Sequence, residues 1–263
     1  MAEPFIAVDI GNSRIKFGLY TADNLRAAGR ELPEPSKTLD LSPAPEAFAA
    51  VADWLAPSMP KALRWWIGSV ERNFAAQLVD WLRAGGVSQI VLLASVDLPL
   101  TVAVPRPDMV GIDRLLAALA INRLRMPDRP AVVVDLGTAV TVDLVSRDGA
   151  FLGGAIMPGI GLAARALHEF TDLLPRLDMT TLAEPPPALG TATVEAMTSG
   201  IYWGAIGGVR HLIELLEAHV GSPAQIFLTG GAAAAVAKLV SPHAVYHPHL
   251  TLAGIALAAS QRR

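Results

Sequence analysis

Two short acidic segments with the same spacing are the residues of this chain best suited to chemistry. Asp9-Ile-Gly11 ends one apolar run, and Asp135-Leu-Gly137 ends another about half a chain later. A glycine between two strands exposes backbone N–H groups that can bind phosphate oxygens, and a carboxylate at a strand end can hold Mg²⁺ through water. The repeat therefore predicts two related halves whose acidic turns converge on one cleft for a nucleotide phosphate and a cation.

The first acidic turn carries further donors for phosphate in Asn12, Ser13 and Lys16. Taken alone, such a turn is more typical of a tight hairpin with an ordinary Asx hydrogen bond. The second copy, in which Thr138 supplies a hydroxyl, favours the functional interpretation. Core packing alone does not explain an apolar strand that ends in a carboxylate, because a buried unpaired charge costs several kcal/mol. A duplicated scaffold whose site has been lost is the remaining alternative.

A third motif, Gly111-Ile112-Asp113-Arg114, opens a predicted helix and occurs only once. A helix N-terminus favours an anion, and Asp113 beside Arg114 places a potential base next to a potential anion clamp. The alternative is a structural acid in the first helical turn followed by a solvent-exposed arginine. A fourth motif, Thr229-Gly-Gly231, predicts a strand-to-helix turn where backbone can approach a flat ring or a phosphate.

The elements that position these motifs alternate between strands and helices, which predicts an α/β protein. Residues 5–31 are predicted as three short strands, 32–45 as a loop, and 131–156 as a second three-strand meander. Two prolines and three charges at 125–130 mark a domain boundary, so the predicted domains are 1–125 and 126–263. A long helix is predicted over Thr193–Ala218, and its glycines at 200, 204, 207 and 208 predict close approach of another backbone or a ligand.

Composition excludes several classes of function. The chain has no cysteine, which excludes disulfides, zinc-thiolate sites, iron–sulfur clusters and thiol catalysis. The net charge of -3 shows no basic bias, so a nucleic-acid partner is not predicted. The hydrophobic fraction is 52%, yet no apolar run approaches the ~20 residues of a membrane span, and the first residues lack a signal-peptide pattern. A cytoplasmic protein with a small-molecule substrate and no membrane partner is expected.

Several motifs in the same order together resemble the type III pantothenate kinases, members of the actin, sugar-kinase and Hsp70 ATPase superfamily. They are DIGNSRIKFG at 9–18, GIDR at 111–114, DLGTAVTVD at 135–143, GGAIMPG at 153–159, TVEAMTSGI at 193–201 and TGG at 229–231. The resemblance implies two duplicated ribonuclease H-like, actin-like ATPase domains with a central nucleotide cleft. It also implies transfer of the ATP γ-phosphate to the primary hydroxyl of pantothenate, the first step toward coenzyme A.

The same resemblance assigns roles to individual residues. Asp113 is implied as the catalytic base and Asp135 as the ligand of a monovalent cation, potassium or ammonium. ATP with Mg²⁺ is implied as the phosphate donor, and a homodimer is implied whose substrate pocket borrows from the partner chain. The residues implied to bind ATP are Asp9, Gly11, Asn12, Ser13, Lys16 and Thr138. Those implied to bind pantothenate are Gly111, Ile112, Asp113, Arg114 and Thr193.

The chain departs from the family pattern in two places. The family often has a pantothenate-contacting tyrosine shortly before the Gly-x-Asp-Arg motif, and here Val104 takes its place. This departure leaves open a kinase of the same fold for another small hydroxylated acceptor. A non-catalytic nucleotide-binding or regulatory protein is a further alternative, and the three carboxylates Asp9, Asp113 and Asp135 argue against it. The other departure is Ser13 in place of the usual threonine, which keeps the hydroxyl.

Overall fold

The computed structural model describes residues 3–27, 29, 31–55, 63–179 and 184–261, which belong to two compact units. The first unit takes its residues from Met1–Leu124 and His249–Arg263, and the second from Arg125–Pro248. The chain thus crosses from one unit to the other twice. The sequence prediction extends the second domain to residue 263, whereas in the structure the last helix lies with the first unit.

A five-stranded sheet forms the centre of the first unit. Its strands in chain order are β1 (Phe5–Ile10), β2 (Ile15–Tyr20), β3 (Lys37–Leu41), β4 (Arg64–Ser69) and β5 (Ile90–Leu92). Their spatial order is β3-β2-β1-β4-β5. The first three strands pair antiparallel, and β4 and β5 continue the sheet parallel to β1. The carboxyl ends of β1, β4 and β5 therefore meet at one edge.

Helices cover both faces of this sheet. They are α1 (Ala22–Ala27), α2 (Ala47–Leu55), α3 (Arg72–Ala84), α4 (Ile112–Leu124) and the last helix of the chain, α8 (Leu250–Gln261). Alternate side chains of β1 and β2 form a core with α2 and α3 on one face, since successive side chains of a strand point to opposite sides. On the other face, α8 contacts β1, β2 and β4, and α4 contacts β4.

The two helices on that second face pack closely because α8 carries a glycine at the contact. A Cβ atom at Gly254 would lie 2.7 Å from the carbonyl carbon of Leu116 and closer still to its oxygen. Gly68 of β4 similarly leaves room for the Leu116 side chain, to which a Cβ would approach within 2.8 Å. Small side chains such as Ala253 and Ala256 flank this contact, and α8 is buried along nearly its whole length.

The second unit repeats this plan. Its strands are β6 (Ala131–Leu136), β7 (Ala139–Val145), β8 (Phe151–Pro158), β9 (Gln225–Thr229) and β10 (Val245–Tyr246), in the spatial order β10-β9-β6-β7-β8. Its helices are α5 (Ile160–Glu169), α6 (Thr193–Val220) and α7 (Ala233–Val240). One face of β6 and β7 forms the core with α6 and α7.

The two sheets share one topology, in which an antiparallel three-strand meander is followed by two parallel strands. The predicted α/β class and the predicted duplication are thus confirmed. Asp9 and Asp135 occupy equivalent places, each next to last in the first strand of its sheet. The repeat in the sequence therefore corresponds to a repeat in the structure.

The predicted third strand of the first meander was wrong. Residues 22–27 form α1, and the third strand is β3, within the span predicted as a loop. The reason is a local cap: the Asn24 backbone N–H donates to Oγ1 of Thr21 (3.3 Å), as a threonine before a helix does. The Lys-Thr-Leu-Asp-Leu run of β3 is largely exposed because β3 pairs only with β2 at the edge of the sheet.

The glycines of α6 differ in their surroundings. Apart from the adjacent residues and the nearby backbone of α6 itself, no described atom lies within 4 Å of a Cβ placed at Gly200, Gly204 or Gly207. Only Gly208 has a near neighbour there, since a Cβ would lie 3.2 Å from Cε of Met157. Among the described residues, no other segment therefore approaches the first three positions, and the approach of a ligand there stays a prediction.

Candidate active site

The carboxyl edge of the first sheet brings together Asp9 and the turn that follows it. Asp9 lies opposite Lys16 on β2 and beside Gly68 on β4, so all three positions are on the same face of the sheet. The backbone N–H of Val70 donates to the carbonyl of Ile10 (3.0 Å), which fixes the end of β4 against the end of β1. Parallel strands of α/β sheets bind ligands at such an edge.

The turn between β1 and β2 is an exposed loop, Gly11–Arg14. The Gly11 N–H donates to the carbonyl of Arg14 (3.0 Å), and a Cβ at Gly11 would lie 3.2 Å from that oxygen. Asn12 and Ser13 are exposed at its tip, while Nε of Arg14 forms an ion pair with Asp40 (2.9 Å). The amide and hydroxyl at the tip are therefore accessible to a ligand, and the loop's arginine already has a partner.

Asp113 lies in the first turn of α4, folded back over Gly111. Its Oδ1 accepts the backbone N–H of Arg114 (2.8 Å), and a Cβ at Gly111 would lie 2.6 Å from the same oxygen. A side chain at position 111 would therefore collide with the Asp113 carboxylate, and glycine avoids this collision. Burial raises the pKa of Asp113, while the hydrogen bond from Arg114 and the charge of Arg114 act in the opposite direction. A partly buried carboxylate with a raised pKa is suited to accept a proton.

An open cavity of about 500 Å³ lies beside this motif, within the first unit. Its walls come from the end of β4, the start of α3, the segment after β5 and the segment that leads into α4. The lining residues are Ser69, Val70, Arg72, Leu93, Ala94, Ser95, Val96, Asp108, Met109, Val110, Gly111 and Ile112. Sequence reasoning found only Gly111 and Ile112 among them, because the others belong to no motif and converge only in the fold. The cavity has the size of a small-molecule site.

The second unit places Asp135 at the equivalent edge, with a shorter turn. Gly137 and Thr138 alone connect β6 to β7, and the Gly137 N–H donates to the carbonyl of Ala139 (3.1 Å). Gly230 follows β9 with φ +98°, and a Cβ there would lie 2.5 Å from Oδ1 of Asp135 and 2.6 Å from the carbonyl oxygen of Leu136. A carboxylate and a backbone carbonyl thus face one small space, and oxygen ligands of this kind suit a hard cation.

A second cavity, of about 340 Å³, opens beside Gly137 and Gly231 in the same unit. Its other lining residues are mostly apolar, among them Val140, Ile160 and Tyr202. The exposed backbone of the two glycines and the apolar wall opposite suit the binding of a flat ring. The Thr229-Gly-Gly231 motif predicts backbone that can approach such a ring. Thr193, the remaining predicted residue, is the exposed first residue of α6.

Neither a cluster of metal-binding side chains nor a membrane-spanning helix is found among the described residues. Within the ranges that the structure describes, no three histidine, aspartate or glutamate side chains are grouped so as to hold a metal ion. Among the same residues, no helix has the length and apolar character needed to cross a membrane.

Comparison with known proteins gives one consistent family. A family model described as type III pantothenate kinase matches residues 5–215. Proteins of that name from Acidiphilium cryptum and Parafrankia sp. are 32% and 33% identical to the chain, covering 97% and 96% of it and 93% and 96% of their own lengths.

Similar solved structures agree on the fold. A Campylobacter jejuni structure provisionally described as a conserved Baf family transcriptional activator has a TM-score of 0.59 at 19% identity, covering 98% of both chains. A glucokinase from an Antarctic psychrotroph has a TM-score of 0.52 at 13% identity, covering 98% of this chain and 99% of its own. These likenesses support the fold of the actin-like ATPases and sugar kinases, with its duplicated ribonuclease H-like domains.

Proposed function

The chain belongs to the type III pantothenate kinase family, and we propose that the strand ends and the α4 motif described above carry out the family's reaction. The protein is a pantothenate kinase, which uses ATP to phosphorylate pantothenate at the start of coenzyme A biosynthesis. Phosphoryl transfer requires mainly positioning and charge neutralisation. The assignment of those tasks to individual residues is our proposal.

Asp113 is the proposed base, and its place over Gly111 beside the cavity is the observation that carries the proposal. Its carboxylate accepts the proton of the primary hydroxyl of pantothenate as that oxygen bonds to the γ-phosphorus of ATP and ADP leaves. Gly111, Ile112 and Arg114 bind the same substrate. The raised pKa of Asp113 increases its affinity for that proton.

The proposed binding residues for ATP are the donors of the two acidic turns. Asn12, Ser13 and the backbone of Gly11 hold phosphate oxygens, with Lys16 on the same face as Asp9. Thr138 supplies a hydroxyl from the second turn. Asp9 would hold Mg²⁺ through water, and the ion would supply neutralisation of phosphate charge. A strand-end carboxylate fits this ion, which commonly takes one or two carboxylates together with waters and substrate phosphates.

Asp135 is the proposed ligand of a monovalent cation, potassium or ammonium. We expect ADP release from wild-type protein with ATP and pantothenate to rise severalfold when potassium is added. The Asp135→Asn variant should lose most of this response, because the carboxylate that faces the space near Gly230 is neutralised. Asp128→Asn, an exposed aspartate of the same unit away from the proposed sites, is the matched control. If the wild-type enzyme is equally active without potassium, the proposed cation site is wrong. If it does not turn over pantothenate at all, the proposed function is wrong.

We further propose that the protein is a homodimer and that Thr193 contacts pantothenate in the partner's pocket. Exposed apolar side chains near α5 and the start of α6 support a protein interface, since Phe170 is 81% and Leu173 91% exposed. We expect sedimentation to give twice the chain mass, and Phe170→Glu to give a monomer with a raised KM for pantothenate. Monomeric wild-type protein at assay concentration would contradict the proposal.

The absence of a membrane-spanning helix among the described residues is compatible with a cytoplasmic enzyme, which we propose. Activity in the membrane fraction of lysed cells would contradict that location.

A further inference from the structure

The charges that line the cavity beside Asp113 leave one cation without a partner among the described residues. Asp108 is the only acidic residue of the described lining, and both its carboxylate oxygens accept from Arg106, at 2.9 and 2.6 Å. The Arg106 guanidinium lowers the pKa of Asp108 and neutralises its charge. Arg72 is the basic residue of the lining, and no hydrogen bond or ion pair joins its side chain to any described residue. The walls therefore present a net positive charge at Arg72.

The turn before α3 fixes the backbone on both sides of Arg72 and occupies the competing groups. Glu71 caps the helix, since its Oε1 accepts the N–H of Asn73 (3.1 Å) and its Oε2 that of Phe74 (2.5 Å). The Ser69 hydroxyl donates to the carbonyl of Glu71 (2.7 Å). The first amides of α3 are thus already bonded, and the Glu71 carboxylate is directed at them. Of the polar groups in this turn, the guanidinium of Arg72 is therefore the one that can bind an anion.

Pantothenate has the shape and charge that such a cavity would accept. Its reacting hydroxyl and its carboxylate are at opposite ends, with two methyl groups next to the hydroxyl end. The cavity has Gly111, under the Asp113 carboxylate, on one wall and Arg72 on another, with Val70 and Leu93 as apolar lining. Arginine binds carboxylates through two parallel hydrogen bonds.

We propose that Arg72 binds the carboxylate of pantothenate and so selects acceptors that carry an anion at the end remote from the reacting hydroxyl. This proposal rests on the proposed function and adds to it a residue outside the Gly-Ile-Asp-Arg motif. Arg72 is a specificity residue: it orients the substrate with its hydroxyl toward Asp113, and the proton transfer itself does not involve it.

The test compares pantothenate with an uncharged primary amide of pantothenate. Wild-type protein should prefer pantothenate in kcat/KM, and Arg72→Ala should raise the KM for pantothenate roughly 10- to 100-fold, as expected for a hydrogen-bonded charge pair, with little change in kcat or in the KM for ATP. The KM for the amide should stay nearly constant, so the preference disappears. Arg72→Lys should restore part of it.

Arg83→Ala, which removes an exposed arginine from the last turn of the same helix, is the matched control and should leave both KM values unchanged. An Arg72→Ala variant with an unchanged pantothenate KM, or with KM raised equally for both acceptors, would overturn the proposal. Wild-type protein that phosphorylates neither acceptor would instead contradict the proposed function.

Discussion

Replacing Asp113 with asparagine is expected to lower kcat with pantothenate by roughly 10²- to 10⁴-fold, the range that a positioned general base contributes. Asparagine keeps the shape of the side chain and can still accept the Arg114 N–H, but its amide cannot take the proton of the hydroxyl. The measurement is steady-state ADP release. Asp80→Asn, at an exposed position of α3, controls for the loss of a carboxylate elsewhere in the unit.

The Asp113→Asn variant should lose activity without losing thermal stability. Burial raises the pKa of Asp113 above its value in the unfolded chain, so its contribution to stability is complete below the unfolded pKa and is lost as pH rises through the folded pKa. At neutral pH the ionised group therefore weakens the fold, and Asp113→Asn should melt at the same temperature as wild type or higher. In wild type, kcat/KM should fall on the acid side as this carboxylate becomes protonated. A near-normal kcat in the Asp113→Asn variant would show that Asp113 is not the base.

Gly254→Ala is expected to destabilise the first unit by about 1–3 kcal/mol, as overpacking of a close contact does. The added Cβ would lie 2.7 Å from the carbonyl carbon of Leu116, and backbone cannot move aside as a flexible side chain can. Chemical denaturation measures the change in the free energy of unfolding.

The matched control is Gly207→Ala in α6, where a Cβ has no described atom within 4 Å apart from the adjacent residues and the nearby backbone of α6 itself. Alanine should stabilise that helix by about 0.4–1 kcal/mol, because it restricts the unfolded chain and favours helix. The prediction for Gly254 fails if both alanine variants shift the free energy of unfolding in the same direction.

Strands and helices with a strong apolar pattern could be predicted from the sequence, and both acidic hairpins are among them. The β1–β2 and β6–β7 hairpins each combine buried alternate residues with a glycine turn. The apolar pattern does not reveal β3, because an edge strand needs few apolar residues, and it does not reveal α1, whose start is marked by the capping residue Thr21 instead.

The candidate site could be proposed from the sequence to the extent that its residues lie in continuous motifs. Asp9 and Asp113 each stand in one, and the structure puts Asp9 at the carboxyl edge of the first sheet and Asp113 over Gly111. Arg72 could not be found in this way, because its significance depends on a cavity formed by four separate segments and on the partners that Asp108 and Glu71 already have. The placement of α8 was equally hidden, since a helix that is apolar all around carries no sign of which unit buries it.

Helix α8 also fixes the order in which the protein can be completed during its synthesis. The strands of the first sheet leave the ribosome before the second unit, but the helix that covers β1 and β4 is made after the second unit. The second unit lies in one uninterrupted stretch, so all of its residues emerge before α8 does. The first unit is therefore completed only after the second, and one apolar face of its sheet stays uncovered until α8 has been made.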